Sequence, residues 1–474
     1  MPKLPTVLEG IVEGRKRHLD EIRQRVAHVD FDTLPKSERS LYDGLRRPGT
    51  SFILECKAAS PSLGLIREHY EPGAIATVYS RPAYKAAGIS VLCEPDKFGG
   101  DYDHLATAAA TTHLPVLCKD FIIDEVQLYA ARYYGADAVL LMLSVLNDEE
   151  YTRLSALAEH LGLDVLTEVI DEAEAQRAAR LGAKIFGVNH RNLHDLTIDL
   201  DRSAQLARFA PADAVVVSES GIRDVETVRR LGGHSNGFLV GSQLTSQPDI
   251  DLAVRMLVYG PNKVCGLTAR SAAQAAKASG AVYGGLIFEE ASPRNVSRET
   301  AKYIVAHEPG LRYVAVSRRT EGWDELADLE GLHAVQIHGP YQRSTAAELD
   351  LIARVRSEIG EGLEIWRAVS MTEQHGPATA QAIADHVDML VLDARDGGSG
   401  ERFDWGAVPD VVKQKALLAG GISPANVEEA LAVGCAGVDL NSGVEYPETA
   451  GVWAGRKNAA ALRATFDLIG NFHY

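Results

Sequence analysis

After residue 48 the chain alternates short apolar runs with amphipathic stretches. In the first half the runs are SFILECK, ISVLCEP, PVLCKDF, ADAVLLMLS, DVLTEVI, KIFGVNH, AVVVSES and GFLVGS. They are continuous rather than alternating, the pattern of parallel strands buried on both faces. Between them lie segments such as DEVQLYAARYYGA and DEAEAQRAARLGA, apolar at helical spacing. The second half repeats the scheme with KVCGL, YGGLIF, LRYVAVS, AVQIHG, EIWRAVS, DMLVLDA, KALLAGG and GVDLNSG. Eight strand–helix units in each half predict an α/β chain of two tandem (β/α)8 TIM barrels. The opening segment, with EGIVEGRKRHLDEIRQRVAHV, predicts a helical N-terminal extension to the first barrel. Gly260-Pro261 breaks the helix before Lys263, which sets the domains at residues 1–258 and 259–474. A pair of doubly wound open sheets is the rival, and no GxGxxG follows either first strand.

Each half also ends on the same local pattern. SESGI at Ser218–Ile222 is followed by a helical stretch and GFLVGS, and LAGGI at Leu418–Ile422 by a helical stretch and GVDLNSG. In such barrels the loops after strands seven and eight form the usual phosphate site, where glycines let backbone N–H groups approach an anion. Gly221, Gly241 and Ser242 would form one site, and Gly420, Gly421, Ser442 and Gly443 the other. Tight turns alone are the competing reading, which the repetition weakens.

Catalytic groups of these barrels sit at the C-terminal ends of strands. The first half places charge there: Glu55 and Lys57, two apart and so on one face, Lys119, Glu168, Asn189 with Arg191, and Glu219 with Ser220. A buried Lys or Glu is unfavourable unless paired. Either an ion-pair network closes the barrel mouth, or two lysines and two glutamates form an acid/base site with shifted pKa values.

FILECKAASPS, PVLCKDF, LTEV, GVNHRNL and SESGI together resemble indoleglycerol-phosphate synthase over roughly residues 1–258. That family closes an indole ring on carboxyphenylamino-deoxyribulose phosphate, releasing carbon dioxide and water. The resemblance implies Lys119 as general acid and Glu168 as base. It implies that Lys57 holds the substrate carboxylate or shares the acid role, Glu55 orients the lysines, and Asn189 hydrogen-bonds the reacting hydroxyl. Ser60, Arg191, Glu219 and Ser220 fall to substrate binding, with Arg191 suited to the anthranilate carboxylate. Ser220, Gly221, Gly241 and Ser242 fall on its phosphate site. Leu63 stands where the family often has Lys, weakening a loop contact, and His190 where Asn or Ser is common.

In the second half Cys265 sits in KVCG, Arg294 in SPRN, His338 in QIHG and Asp393 before a glycine-rich loop. A free Cys is by itself more often a small core residue. KVCG, LIF with SPR, QIHG, LD with GGSG and FDW, LAGGI and NSGVE together resemble phosphoribosylanthranilate isomerase from Lys263 onward. The implied reaction is an Amadori rearrangement, which needs an acid to open the furanose ring and a base to take the C2 proton. The resemblance implies Asp393 as acid, with a raised pKa, and Cys265 as base, with a lowered one. Arg294 would meet the anthranilate part and His338 would line the pocket. Asp439 is counted with the second phosphate set, and Ser317, where Phe is common, reads as a packing change.

The isomerase product is the synthase substrate, so the two resemblances imply consecutive steps of tryptophan biosynthesis at two separate sites. A formal charge of −17 argues against nucleic-acid partners. The apolar runs are too short for a membrane span, and no signal peptide is expected. Five scattered cysteines, an odd number, point to a reducing cytoplasm. His338 and Cys265 lack ligand-spaced companions, so neither metal nor cofactor is expected. The expected partners are phosphorylated anthranilate–sugar substrates, bound by a monomer. A non-catalytic pair of phosphate-ester-binding barrels is the alternative, and a histidine-pathway sugar-phosphate isomerase is disfavoured because Cys265 stands where that class has an aspartate.

Overall fold

The computed structural model describes residues 6–192, 195–394 and 402–474. The glycine-rich loop expected after Asp393 lies outside them, as do the first five residues. The chain forms two compact units, one of residues 1–257 with the last two residues and one of residues 258–472.

In the first unit β1 (Ser51–Cys56), β2 (Ala86–Leu92), β3 (Val116–Lys119), β4 (Ala138–Met142), β5 (Asp164–Val169), β6 (Ile185–Asn189), β7 (Val215–Glu219) and β8 (Gly237–Val240) close a barrel in sequence order. Every neighbouring pair is parallel, and β8 returns to β1 through Ser51↔Gly237. Side chains alternate across a strand, so every second residue faces the lumen. Ile53, Leu117, Leu166, Val217 and Leu239 form a buried apolar layer. Two residues further along each strand stand Glu55, Lys119, Glu168, Glu219 and Gly241. The strand period alone therefore lifts the charged groups to the C-terminal mouth above an apolar floor.

The helix Leu41–Leu45 plugs the opposite end, with Leu41 and Leu45 in the same apolar cluster. Glycines admit it: a Cβ at Gly88 would stand 2.6 Å from Leu41 Cδ1, and one at Gly237 2.7 Å from Leu45 Cδ2. The N-terminal extension is α1 (Thr6–Arg25), whose Leu8 and Val12 join that cluster. Arg15 anchors it. Its guanidinium donates to Asp120 at 2.6 Å, one residue beyond β3, and Asp120 also accepts from Tyr102 and Gln127. A hairpin of Ala59–Ser60 and Gly64–Leu65 follows β1, too short to show in the apolar pattern.

The second unit repeats the architecture with β9 (Lys263–Val264), β10 (Tyr283–Ile287), β11 (Arg312–Ser317), β12 (Leu332–Ile337), β13 (Glu364–Ser370), β14 (Met389–Asp393), β15 (Ala416–Leu418) and β16 (Gly437–Leu440), closed by β9 on β16. Arg367 on β13 donates to both oxygens of Glu348, each at 2.9 Å, pinning the helix Thr345–Ile359. The expected tandem barrels are thus the observed fold, and the open-sheet rival falls because both sheets close. Among the described residues no helix is long and apolar enough to cross a membrane.

The Arg15–Asp120 pair is buried at both ends, so removing one partner strands a charge. Asp120→Ala is expected to lower stability of the first unit by about 3–5 kcal/mol, measured by equilibrium urea unfolding. A loss under about 1 kcal/mol would mean that α1 is held by its apolar face alone.

Two candidate active sites at the barrel mouths

The first mouth opens on a cavity of about 710 Å³. Glu55, Lys57, Ser60, Lys119, Glu168, Asn189, Arg191, Glu219, Ser220, Gly221, Gly241 and Ser242 all line it. Leu8, Ile11, Phe98 and Phe121 add an apolar wall, which strand-end reasoning misses because it looks only at polar positions.

Glu55 sits between two ammonium groups, with Lys57 Nζ at 2.5 Å and Lys119 Nζ at 3.7 Å. Lys119 also donates to Glu219 at 2.6 Å. Burial opposes the charge on Lys119, but Glu219 and Glu55 outweigh it and hold its pKa above the ordinary lysine range. Burial likewise opposes ionisation of Glu55, and the two lysines overturn it, so its pKa is lowered. Glu168 goes the other way. Burial and the negative charge of Glu219 push it up to about 8, against the pull of Lys119 and of the Asn189 amide. Two carboxyls in one lumen therefore differ in protonation at neutral pH, as acid/base sites require.

Glycines create this packing. A Cβ at Gly241 would overlap Glu55 Oε1, and one at Gly187 would overlap Glu219 Oε1. Gly241 is thus required by the Glu55 carboxylate.

The second mouth holds a cavity of about 460 Å³ lined by Cys265, Arg294, His338, Asp393, Gly420, Gly421, Asp439 and Ser442. Gly443 is not on its wall; a Cβ there would overlap the Ile422 carbonyl, so this glycine lets the two loops pack together. Asp439 does not fit the phosphate set. Its Oδ2 accepts from Lys263 Nζ at 2.7 Å, and a carboxylate repels phosphate. Ser317 is buried and lines the cavity, its Oγ accepting from Arg319, so it shapes the wall as well as the packing.

Lys263 is the residue that the strand-end reading overlooked. It lies two before Cys265, on the same face, the logic that had paired Glu55 with Lys57. Fully buried, it reaches across the lumen to Gln336 Oε1 at 2.9 Å. An ammonium only donates, so the Gln336 oxygen must face it and the amide nitrogen must face His338 Nδ1, 2.8 Å away. His338 therefore carries its proton on Nε2. Burial and the charges of Lys263, Arg367 and Arg318 push its pKa down to about 3, so the ring is a neutral donor.

Burial raises Asp393 to about 6, helped by Asp439 and opposed by the Ala394 N–H. Cys265 departs from expectation: burial raises its pKa, and Lys263 lowers it only in part. A Cβ at Gly285 would stand 2.6 Å from Cys265 Sγ, so that glycine makes room for the thiol. Arg294 is held by a carboxylate of the same barrel. Its Nε and Nη2 grip Glu445 at 2.8 Å each, and Lys457 holds the same carboxylate at 2.5 Å.

The repeated pattern becomes a repeated backbone. Ser220 and Gly221 are both left-handed, with φ of 67° and 79°, and so are Gly420 and Gly421, with 99° and 60°. The N–H groups of Gly221 and Ile222, and of Gly421 and Ile422, donate to no acceptor among the described residues. Gly221 and Gly421 are half-buried on the walls of the two cavities, where their N–H groups are open to an external acceptor. Among the described residues no cluster of three or more His, Cys, Asp or Glu is placed to hold a metal. His190 and Leu63 also find places: His190 is buried beside Ser220, and Leu63 is 60% exposed at the hairpin tip.

Residues 8–257 match the family of indole-3-glycerol phosphate synthase, and residues 262–462 that of N-(5'phosphoribosyl)anthranilate (PRA) isomerase. Tryptophan biosynthesis protein TrpCF of Corynebacterium glutamicum is 69% identical over 473 residues, 99% of both chains. The Salmonella typhi protein of that name is 42% identical over 469 residues, 98% of this chain and 99% of its own. Among solved structures, phosphoribosyl anthranilate isomerase from Thermus thermophilus covers 44% of this chain and 96% of its own at 30% identity, with a TM-score of 0.36.

Nitrogen-15 NMR of His338 should show a bare Nδ1 and a protonated Nε2. Gln336→Glu places a carboxylate against Nδ1 and is expected to move the proton there. A protonated Nδ1 in the wild-type chain would overturn the assigned polarity.

Proposed function

The chain belongs to the family that fuses indole-3-glycerol phosphate synthase to N-(5'-phosphoribosyl)anthranilate isomerase, and from that premise we propose how its residues divide the two reactions. The enzyme is bifunctional and serves tryptophan biosynthesis. Isomerisation turns the phosphoribosyl anthranilate into carboxyphenylamino-deoxyribulose phosphate, and ring closure turns that product into indole-3-glycerol phosphate. We assign ring closure to residues 1–258 and isomerisation to residues 259–474.

In the first barrel the aryl carbon bearing the carboxylate attacks the substrate ketone. Lys119, kept cationic by Glu219 and Glu55, gives its proton to the ketone oxygen as the carbon–carbon bond forms. Carbon dioxide leaves and aromaticity returns. Glu168 then takes a proton from the ring system, and Lys57 gives the second proton with which the former ketone oxygen departs as water. Asn189, beside Glu168, holds the departing hydroxyl. Lys57 receives the substrate carboxylate or shares the acid role, and Ser60 and Arg191 complete the carboxylate and aryl contacts. Glu219 acts by holding Lys119. The observation that carries this assignment is the pairing in one lumen of a charged Lys119 with a Glu168 that ionises only near pH 8.

In the second barrel Asp393 protonates the furanose ring oxygen as its bond to C1 breaks and the nitrogen lone pair forms an iminium. Cys265 takes the C2 proton. The resulting enolamine gains a proton at C1 and loses one from the C2 hydroxyl, so the rearrangement is proton-neutral. With a pKa of about 6, roughly a tenth of Asp393 is protonated at pH 7. The thiolate is also a minor form, held next to the Lys263 ammonium. Arg294 offers the anthranilate carboxylate the guanidinium edge that Glu445 leaves free, and His338 offers Nε2–H.

The free N–H groups after Ser220 and Gly420 receive the two substrate phosphates, with Gly241 and Ser242 on one side and Ser442 on the other. A net charge of −17 supports the exclusion of nucleic acid, and the cysteine usage supports the cytoplasm. The reading needs no membrane, metal or cofactor and takes the chain as a monomer.

Asp393→Ala, given each substrate separately, is expected to lose isomerisation by about 10²–10⁴-fold while ring closure persists. Lys119→Ala should do the reverse. Loss of both activities together in a folded protein refutes two independent sites. Because Glu168 must be ionised to act as base, kcat/KM for ring closure should rise with pH through about 8 and level above it. Glu168→Gln should abolish that acid limb along with most of the rate; a limb that survives belongs to another group.

A further inference from the structure

The left-handed turn after β7 is the one of the two anion turns whose first residue is not glycine. A serine with φ of 67° is strained, because its Cβ crowds the following carbonyl. Something must hold it there. His190, the first residue after β6, is fully buried with Nδ1 2.9 Å from the Ser220 carbonyl oxygen. A carbonyl only accepts, so Nδ1 carries the proton.

The ring hangs from fixed backbone: the His190 N–H donates to Glu219 O and its carbonyl accepts from Asp199 N, both at 2.9 Å. Its Nε2 is buried with no partner among the described residues. Packing alone would not favour a side chain that buries an unpartnered nitrogen. The bond to Ser220 is what the imidazole supplies.

The second barrel gives the internal comparison. There the residue after its sixth strand is Ala394, which has no side-chain donor, and the turn after its seventh is Gly420-Gly421. Glycine adopts the left-handed form without strain, so no clamp is needed. Histidine goes with serine in one barrel, and alanine with glycine in the other.

We propose that His190 is a positioning residue for the phosphate site of the first barrel: its Nδ1–H clamps the Ser220 carbonyl and keeps residue 220 left-handed. The N–H groups of Gly221 and Ile222 then stay aimed for the anion. This rests on the reading that the turn receives the substrate phosphate.

The test is a double-mutant cycle of His190→Ala and Ser220→Gly in the full chain. KM and kcat are read for ring closure, and inorganic phosphate serves as competitive inhibitor. His190→Ala is expected to raise KM and the phosphate inhibition constant by about tenfold or more, with kcat within about threefold of wild type. In the Ser220→Gly background the same substitution should raise KM by less than about threefold, since glycine holds the turn unaided. Isomerisation by the same chains should stay at its wild-type rate. An unchanged KM for His190→Ala, an equal rise in both backgrounds, or a fall in kcat with KM unmoved each overturns the proposal. Should the alanine variant not fold, His190→Phe, which keeps a ring but no donor, enters the same cycle with the same criteria. A wild-type chain that closes no indole ring fails the reading beneath the proposal instead.

Discussion

A charge inside a barrel lumen persists only if an opposite charge shares the lumen. Both sites of this enzyme obey that constraint, and most of their remaining features follow from it. In the first, Glu55 and Glu219 hold Lys119 as an ammonium in a place where burial alone would discharge it. The carboxyl left over, Glu168, then cannot ionise freely beside Glu219. Which carboxyl holds the lysines thus separates the lowered pKa of Glu55 from the raised one of Glu168. In the second, Lys263 holds Asp439, orients Gln336 and through it sets the proton on His338. One ammonium thus fixes the polarity of an entire wall.

Such crowding needs space at particular backbone positions. Gly187, Gly241 and Gly285 each stand where a methyl group would strike Glu219, Glu55 or Cys265. These glycines serve side chains on neighbouring strands. That explains why a barrel can be packed with charged groups at its mouth and still keep regular strands.

The two turns after the seventh strands show one backbone conformation reached in different ways. Both need two successive left-handed residues. Two glycines meet it through backbone freedom, and Ser220 with Gly221 meets it through a hydrogen bond from elsewhere in the barrel. The serine gains a hydroxyl at the site and becomes dependent on its neighbour. The extension α1 adds another dependence, because Arg15 binds the residue next to Lys119.

The sequence by itself determined the tandem barrels, because continuous apolar runs at regular intervals have few other ways to be buried on both faces. It also determined which strand ends carry charge: a period of two puts Glu55, Lys57, Lys119, Glu168 and Glu219 at one mouth whatever the loops do. It could have exposed Lys263 and Gln336 by the same count. Tertiary structure alone decided protonation, since pKa depends on partners drawn from strands far apart in the chain. Cys265 shows this, because its burial outweighs the lysine beside it. Tertiary structure also paired Asp439, a polar strand-end residue, with a lysine 176 residues away. The engagement of Arg294 by Glu445 and the clamp of His190 on Ser220 are likewise contacts between distant segments. Periodicity is a local property of the chain, whereas the field at each group is summed over everything that folding brings around it.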